Sequence, residues 1–135
     1  MSKNINILIL DSDDVSSLRG LLENKGYSVC VYSNLEEAVE YARNNLVHIA
    51  ILDITMPRID GNAALGKIKD SNGLTQIIAT GAYATTDRVI TAMENGANDF
   101  ILKPFENLDH VVSIVEESEK KLKRWQTVLK HLGAL

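Results

Sequence analysis

The sequence predicts an α/β fold, a doubly wound (βα)5 sandwich around a five-stranded parallel sheet, with the last helix extended. Two observations lead to this prediction. Five short apolar runs alternate along the 135 residues with segments in which apolar residues recur at helical spacing. Several of these runs are almost continuously apolar, which is typical of strands that a parallel sheet buries on both faces.

The predicted strands are short and rich in aliphatic, β-branched or aromatic residues. In chain order they are residues 5–10, 27–32, 48–52, 76–79 and 100–102. Four of them are followed directly by a polar side chain that can do chemistry, namely Asp11, Asp53, Thr80 and Lys103.

The predicted helices follow the strands and are delimited by residues that start or stop helices. They run from Val15 to the C-cap Gly26, over residues 35–42, over 63–69, over 87–95, and from Leu108 to near the C-terminus. Asn34 offers a cap for the second helix, and Gly96 closes the fourth. Met56-Pro57 and Asp60-Gly61 mark the loop before the third helix.

The composition is that of a globular protein, with 45% hydrophobic and 24% charged residues. The net charge of −4 argues against direct binding of nucleic acid, because such domains usually present a basic face. The single cysteine, Cys30, cannot form an internal disulfide. No apolar run approaches the ~20 residues of a membrane span, and the N-terminus does not resemble a signal peptide. We therefore expect a cytoplasmic protein without membrane contact.

The four polar strand ends predict a common site. In an open parallel sheet the carboxyl ends of the strands lie along one edge, where ligands bind. Carboxylates that meet there need neutralising, by the ammonium of Lys103 and by a divalent cation such as Mg²⁺. An aspartate in such a setting can act as a nucleophile towards phosphorus and form an aspartyl phosphate.

Three segments carry a family resemblance. Residues 52–61 (LDITMPRIDG), 77–82 (IIATGA) and 96–105 (GANDFILKPF) resemble motifs of response-regulator receiver domains of the CheY-like kind. The resemblance covers about residues 5 to 120 and implies a flavodoxin-like, CheY-like fold. It also implies a two-component signalling domain, not an enzyme, which takes a phosphoryl group from a sensor histidine kinase or a phosphotransfer protein.

The resemblance implies a role for each matching residue. Asp53 would be the phosphoacceptor, and Lys103 would pair with the phosphoryl group and precede a cis bond to Pro104. Thr80 would bind the phosphoryl group and shift inward, and Phe100 would be the aromatic switch coupled to Thr80. The implied ligands of Mg²⁺ are Asp11, Asp13, Asp53 and the backbone carbonyl of Thr55.

The acidic segment after the first strand departs from the family pattern. Receivers usually carry two adjacent acids there, whereas this chain has Ser12 in the second position. Asp13 replaces the missing acid if the loop is re-threaded, and Asp14 then caps the first helix. The alternative is a degenerate receiver that binds no metal and acts as a docking module independent of phosphorylation.

A phosphatase is the other alternative. Residues 7–15 (ILILDSDDV) also resemble the Asp-x-Asp signature of haloacid-dehalogenase-type phosphatases, with Asp11 as nucleophile and Asp13 as acid. The chain is too short for the cap domain that many such enzymes carry. This interpretation also leaves Asp53 and the motif after it unexplained.

The C-terminal helix extends beyond the resemblance. Its apolar positions alternate by three and four residues: Leu108, Val111, Val115, Ser118, Leu122, Trp125, Leu129 and Leu132, with Ser118 as the polar exception. We therefore divide the chain into a receiver domain, residues 1–121, and a helical extension or linker, residues 122–135. The stripe from Leu122 to Leu132 is expected to be exposed and to mediate a homodimer or contact with an effector domain.

Overall fold

The computed structural model describes residues 3–82 and 85–135 and confirms the predicted fold. The elements are β1 (Asn6–Leu10), α1 (Ser16–Asn24), β2 (Ser28–Tyr32), α2 (Leu35–Asn44), β3 (Ile49–Asp53), α3 (Gly61–Ser71), β4 (Gln76–Gly81), α4 (Thr86–Glu94), β5 (Asp99–Leu102) and α5 (Leu108–His131). All strand pairs are parallel, and the strand order in the sheet is β2-β1-β3-β4-β5.

Successive residues of each central strand face opposite sides of the sheet. In β1, Ile7 and Ile9 pack with α1 and α5, whereas Leu8 and Leu10 pack with α2 and α3. Both faces are therefore covered by helices, which explains why the strands are apolar at consecutive positions. The charged groups of the sheet therefore lie at the strand ends, which the helices do not cover.

The third helix begins two residues earlier than predicted. The carboxylate of Asp60 accepts hydrogen bonds from the backbone N–H groups of Asn62 and Ala63, so Asp60 is the N-cap of α3. Gly61 is the first helical residue, and a Cβ there would collide with the backbone and side chain of Ile54. The loop after β3 and the start of α3 are thus in close contact, which fixes the path of the chain leaving Asp53.

The middle of α5 is anchored through Glu119, a residue that the sequence did not single out. The Tyr27 hydroxyl donates to Glu119 Oε1 at 2.6 Å, and the Lys123 ammonium donates to Oε2 at 2.7 Å. Burial alone would raise the pKa of Glu119, but the hydrogen bonds from Lys123 and Tyr27 outweigh burial, and the pKa lies below its ordinary value. Glu119 therefore stays charged in the folded protein and joins α5 to the segment preceding β2.

The C-terminal helix is continuous from Leu108 to His131, as the apolar periodicity predicts. The predicted exposed stripe is partly wrong, because Leu122 is only 2% exposed. Leu122 lies one turn beyond Ser118 on the buried side of α5, so the exposed stripe begins at Trp125. Neither α5 nor another helix in residues 3–82 and 85–135 has the length and apolarity to cross a membrane.

Two glycines of α3 provide a test of the packing at its start. We expect Gly61→Ala to destabilise the fold by about 2 kcal/mol or more, because its methyl group collides with Ile54. Gly66→Ala in the same helix meets no atom within 4 Å and should stabilise the fold by about 0.5–1 kcal/mol. Urea unfolding followed by circular dichroism measures both. A Gly61→Ala protein as stable as the parent would contradict the contact.

Candidate functional site

The carboxyl edge of the sheet brings three predicted acids and one predicted base together. Asp11 directly follows β1, Asp53 is the last residue of β3, and Lys103 directly follows β5. The Lys103 ammonium lies 2.9 Å from each carboxylate oxygen of Asp11, 2.6 Å from Asp13 Oδ2 and 3.0 Å from Asp53 Oδ2. These four residues, which we call the acidic cluster, were all predicted as site residues.

Charge is unbalanced in the acidic cluster. Three carboxylates share one ammonium, and the side chains of Asp11, Asp53 and Lys103 are almost fully buried. Burial alone would lower the pKa of Lys103, but hydrogen bonds to Asp13, Asp11 and Asp53 outweigh burial and raise that pKa well above its ordinary value. The ammonium is therefore permanently charged, and the cluster retains a formal excess of negative charge.

The carboxylate of Asp53 is oriented by Thr55. Both the backbone N–H and the hydroxyl of Thr55 donate to Asp53 Oδ1, each at 2.8 Å. The Thr55 hydroxyl oxygen also accepts from the backbone N–H of Ala82 at 3.1 Å. One oxygen of Asp53 is thus held by Thr55, and the other faces Lys103.

Thr80 lies beside Asp53 but does not bond to it. The two residues are register partners on the neighbouring strands β4 and β3. The Thr80 hydroxyl is buried and has no hydrogen-bond partner among the described residues. A buried hydroxyl without a partner is costly, so its presence at the site calls for a functional explanation.

Phe100 lies on β5, next to β4, and does not belong to the acidic cluster. Its half-buried ring packs with the core on the side of α2 and α3. A Cβ at Gly81 would lie 3.4 Å from the tip of that ring and 2.8 Å from the methyl group of Thr55. Gly81 therefore lets the Phe100 ring and the Thr55 side chain approach the end of β4 from two sides.

The segment after β1 places Asp13, and not Ser12, in the cluster. Asp11 Oδ1 accepts the backbone N–H of Asp13 at 2.9 Å, a turn that directs the Asp13 carboxylate towards Lys103. Ser12 is exposed and outside the cluster. Asp14 Oδ1 accepts the backbone N–H of Ser16, the first residue of α1, and hydrogen bonding from the Ser16 side chain and backbone lowers the pKa of Asp14. The N-cap position itself is Val15, so the expectation that Asp14 caps this helix is wrong.

The acidic cluster is suited to a hard divalent cation. One carboxylate oxygen from each of Asp11, Asp13 and Asp53 lies within 4.8 Å of the others. Carboxylate oxygens are the ligands that Mg²⁺ prefers, and the excess negative charge of the cluster favours a cation. The residues present therefore fit Mg²⁺ at this edge.

Sequence reasoning missed one contact in the site and was right about another. It predicted the backbone carbonyl of Thr55 as a metal ligand but did not predict that the hydroxyl and backbone N–H of Thr55 hold Asp53. No sequence signal predicts the bond from the hydroxyl, because that contact depends on the side-chain rotamer. The Lys103–Pro104 bond is cis, as the resemblance implied.

Comparisons with known proteins agree with this geometry. Residues 7–116 match the family of the response regulator receiver domain. Transcriptional regulatory protein ZraR of Escherichia coli (strain K12) is 34% identical over 110 residues, which cover 78% of this chain and 25% of ZraR. Probable transcriptional regulator ycf27 of Porphyra purpurea is 36% identical over 101 residues, covering 72% of this chain and 41% of that protein.

A solved structure supports the same assignment of fold. The CheY-like response regulator receiver domain protein from Methanospirillum hungatei JF-1 aligns with a TM-score of 0.83 at 24% identity, covering 89% of this chain and 97% of that chain.

The chain belongs to the response regulator receiver domain family, whose members are signalling domains of two-component systems. The comparisons do not favour the phosphatase or the docking-module hypothesis. The chain spans about a quarter of the length of ZraR and about two fifths of the length of ycf27.

Lys103 should be essential to the stability of the site. We expect Lys103→Met to lower the free energy of unfolding by about 3 kcal/mol at pH 7, because it leaves buried carboxylates without a counter-ion. Lys67→Met, on the exposed face of α3, should change stability by less than about 0.5 kcal/mol. Chemical denaturation without divalent cations compares the two variants, and equal midpoints would contradict this role of Lys103.

Proposed function

We propose that this chain is a phosphorylation-competent receiver in which Asp53 accepts a phosphoryl group from the phosphohistidine of a sensor histidine kinase or a phosphotransfer protein. The observation that carries the proposal is the position of Asp53. Its carboxylate is buried at the end of β3, held at Oδ1 by Thr55 and faced at Oδ2 by Lys103. A carboxylate oriented in this way can attack phosphorus without first reorganising.

The neighbouring side chains supply what the transferred group needs. In phosphoryl transfer, charge is spread over the three equatorial oxygens, and cations and hydrogen-bond donors stabilise it. Attack through Asp53 Oδ2 would bring these oxygens next to the Lys103 ammonium. The unpaired hydroxyl of Thr80, on the adjacent strand, is available to donate the further hydrogen bond.

Mg²⁺ is the proposed cofactor, held by Asp11, Asp13, Asp53 and the backbone carbonyl of Thr55. The bound cation would neutralise negative charge on the phosphoryl oxygens and on the carboxylates around them. Asp13 takes the place of the adjacent second acid of the family pattern, and its 2.6 Å contact with Lys103 supports this assignment.

The response proposed for this receiver is a rearrangement around Thr80 and Phe100. An inward shift of the Thr80 side chain towards a phosphorylated Asp53 would leave space at the end of β4, which the Phe100 ring reaches beside Gly81. The receiver would undergo at most self-phosphotransfer and autodephosphorylation, without turnover of an external substrate. We place it in the cytoplasm, with its output through α5 to an effector domain or a second copy, and without direct contact with nucleic acid or membrane.

Phosphorylation of Asp53 is tested by intact mass after treatment with acetyl phosphate. We expect one added phosphoryl group in the presence of Mg²⁺, none in EDTA, and none in Asp53→Asn. Asp14→Asn is the matched control, because Asp14 is an acid of the same edge that lies outside the cluster. Labelling that persists in Asp53→Asn would refute the assignment.

The metal ligands are tested by Mg²⁺ titration in a calorimeter. Asp13→Asn should weaken Mg²⁺ binding by about tenfold or more, because affinity depends on the number of charged ligands. Asp14→Asn should leave the affinity unchanged, since the Asp14 carboxylate accepts the backbone N–H of Ser16 and lies outside the acidic cluster. If Asp14→Asn weakens binding more than Asp13→Asn, the proposed path of this loop is wrong.

A further inference from the structure

The charge of this chain is divided unequally along its length. Residues 120–135 contain five of the 14 Lys and Arg residues and none of the 18 Asp and Glu residues. The remaining residues, 1–119, hold nine basic and 18 acidic residues and therefore carry a net charge of −9. We call residues 120–135 the basic end, most of which forms the last part of α5.

The basic end also carries an apolar stripe that the rest of the protein does not cover. Trp125, Val128 and Leu132 are 51%, 48% and 76% exposed and follow one another at spacings of three and four residues. A helix with an apolar stripe and an otherwise basic surface is typical of segments that dock on an acidic, partly apolar surface. Pairing two such ends side by side would instead bring five positive charges against five, which is unfavourable.

A surface of the matching kind lies on the other side of the same molecule. It is a shallow groove of about 430 Å³ between the edge strand β2 and helix α2, which we call the α2 groove. Its lining residues are Tyr32, Glu36, Glu37, Glu40, Tyr41 and Asn44. The two tyrosine rings lie 5.6 Å apart and are tilted by 44°. Among the described residues, none of the three glutamates forms an ion pair.

The basic end cannot occupy the α2 groove of its own chain. The helix α5 packs against α1, β3 and β4, on the face of the sheet opposite α2, and it remains helical to His131. Any contact between the two features must therefore join different molecules.

We propose that the basic end of one chain docks into the α2 groove of a second copy. The apolar stripe with Trp125 would pack against Tyr32 and Tyr41, and its Lys and Arg residues would pair with the glutamates. Cations placed over the tyrosine rings would add to the attraction. The contact is head to tail, so a complex of two molecules retains one unused groove and one unused end unless a ring closes.

The contact does not depend on phosphorylation of Asp53, and its size predicts a weak, salt-sensitive association. One helix end and one shallow groove bury less surface than a standard interface of about 1,600 Å². We therefore expect association at chain concentrations on the order of 0.1 mM. Exposed charge pairs are screened by salt, so 0.5 M NaCl should reverse the association.

The test uses the full chain and two sets of neutralising substitutions. The groove variant carries Glu36→Gln, Glu37→Gln and Glu40→Gln, and the end variant carries Lys120→Gln, Arg124→Gln and Lys130→Gln. All six positions are exposed, and circular dichroism checks that both variants remain folded. Sedimentation velocity from about 10 µM to 1 mM measures association, and fluorescence of Trp125, the only tryptophan, reports burial of the apolar stripe.

We expect the parent chain to associate, with a blue shift of the Trp125 emission, and each variant alone to associate at least tenfold more weakly. Mixing the two variants should restore a one-to-one complex, because the groove variant retains an intact end and the end variant an intact groove. Symmetrical pairing of the helices predicts no such restoration.

Three outcomes would overturn the proposal. The first is a parent chain that stays monomeric at 1 mM in low salt. The second is association that the groove variant leaves unchanged, which would indicate pairing through another surface. The third is a Trp125 blue shift with vesicles of phosphatidylglycerol and none on self-association, which would assign the basic end to an anionic lipid surface.

Discussion

The organisation of this protein depends on one ammonium group that three carboxylates share. Asp11 and Asp13 follow β1, Asp53 ends β3, and Lys103 follows β5, so the contact ties together three separate strand ends. The end of β4 lies between β3 and β5 in the sheet. Gly81 has no side chain there, which allows Thr55 and Phe100 to approach that strand end closely. The glycine at the end of β4 is therefore part of the same constraint.

The site combines side chains that form hydrogen bonds or ion pairs with one hydroxyl, that of Thr80, that forms none among the described residues. Asp53 and Lys103 have close partners, and each partner lies at the end of a strand or within three residues after it. The Thr80 hydroxyl has none among the described residues, although it is buried. Natural proteins tolerate such local costs mainly where function requires them. One hydrogen-bond donor, the Thr80 hydroxyl, is thus available beside the proposed phosphoacceptor. It can form a bond when a phosphoryl group is added to Asp53.

The modest net charge of −4 conceals two regions of opposite sign. Helix α5 joins them, because its first half is buried against the sheet and its last turns leave the body of the protein. Glu119 marks the transition, since it is buried and bonded to Tyr27 while its second oxygen accepts from Lys123 on the emerging part of the helix. A continuous helix thus links the packed interior to an exposed apolar and basic surface without an intervening hinge.

The sequence by itself determined the strand and helix order, the two-sided burial of the sheet, and the identity of Asp11, Asp53, Thr80 and Lys103 as strand-end groups. These features depend on local periodicity and on the rule that parallel strands end along one edge. The sequence offered Asp13 as the replacement for Ser12 on condition that the loop was re-threaded, and the tertiary structure decided that condition. Only the tertiary structure decided that the Thr55 hydroxyl holds Asp53 and that Leu122 is buried. Each of these depends on a turn, a rotamer or a contact between residues far apart in sequence. No local pattern encodes such choices, because their energies arise only after the chain has folded.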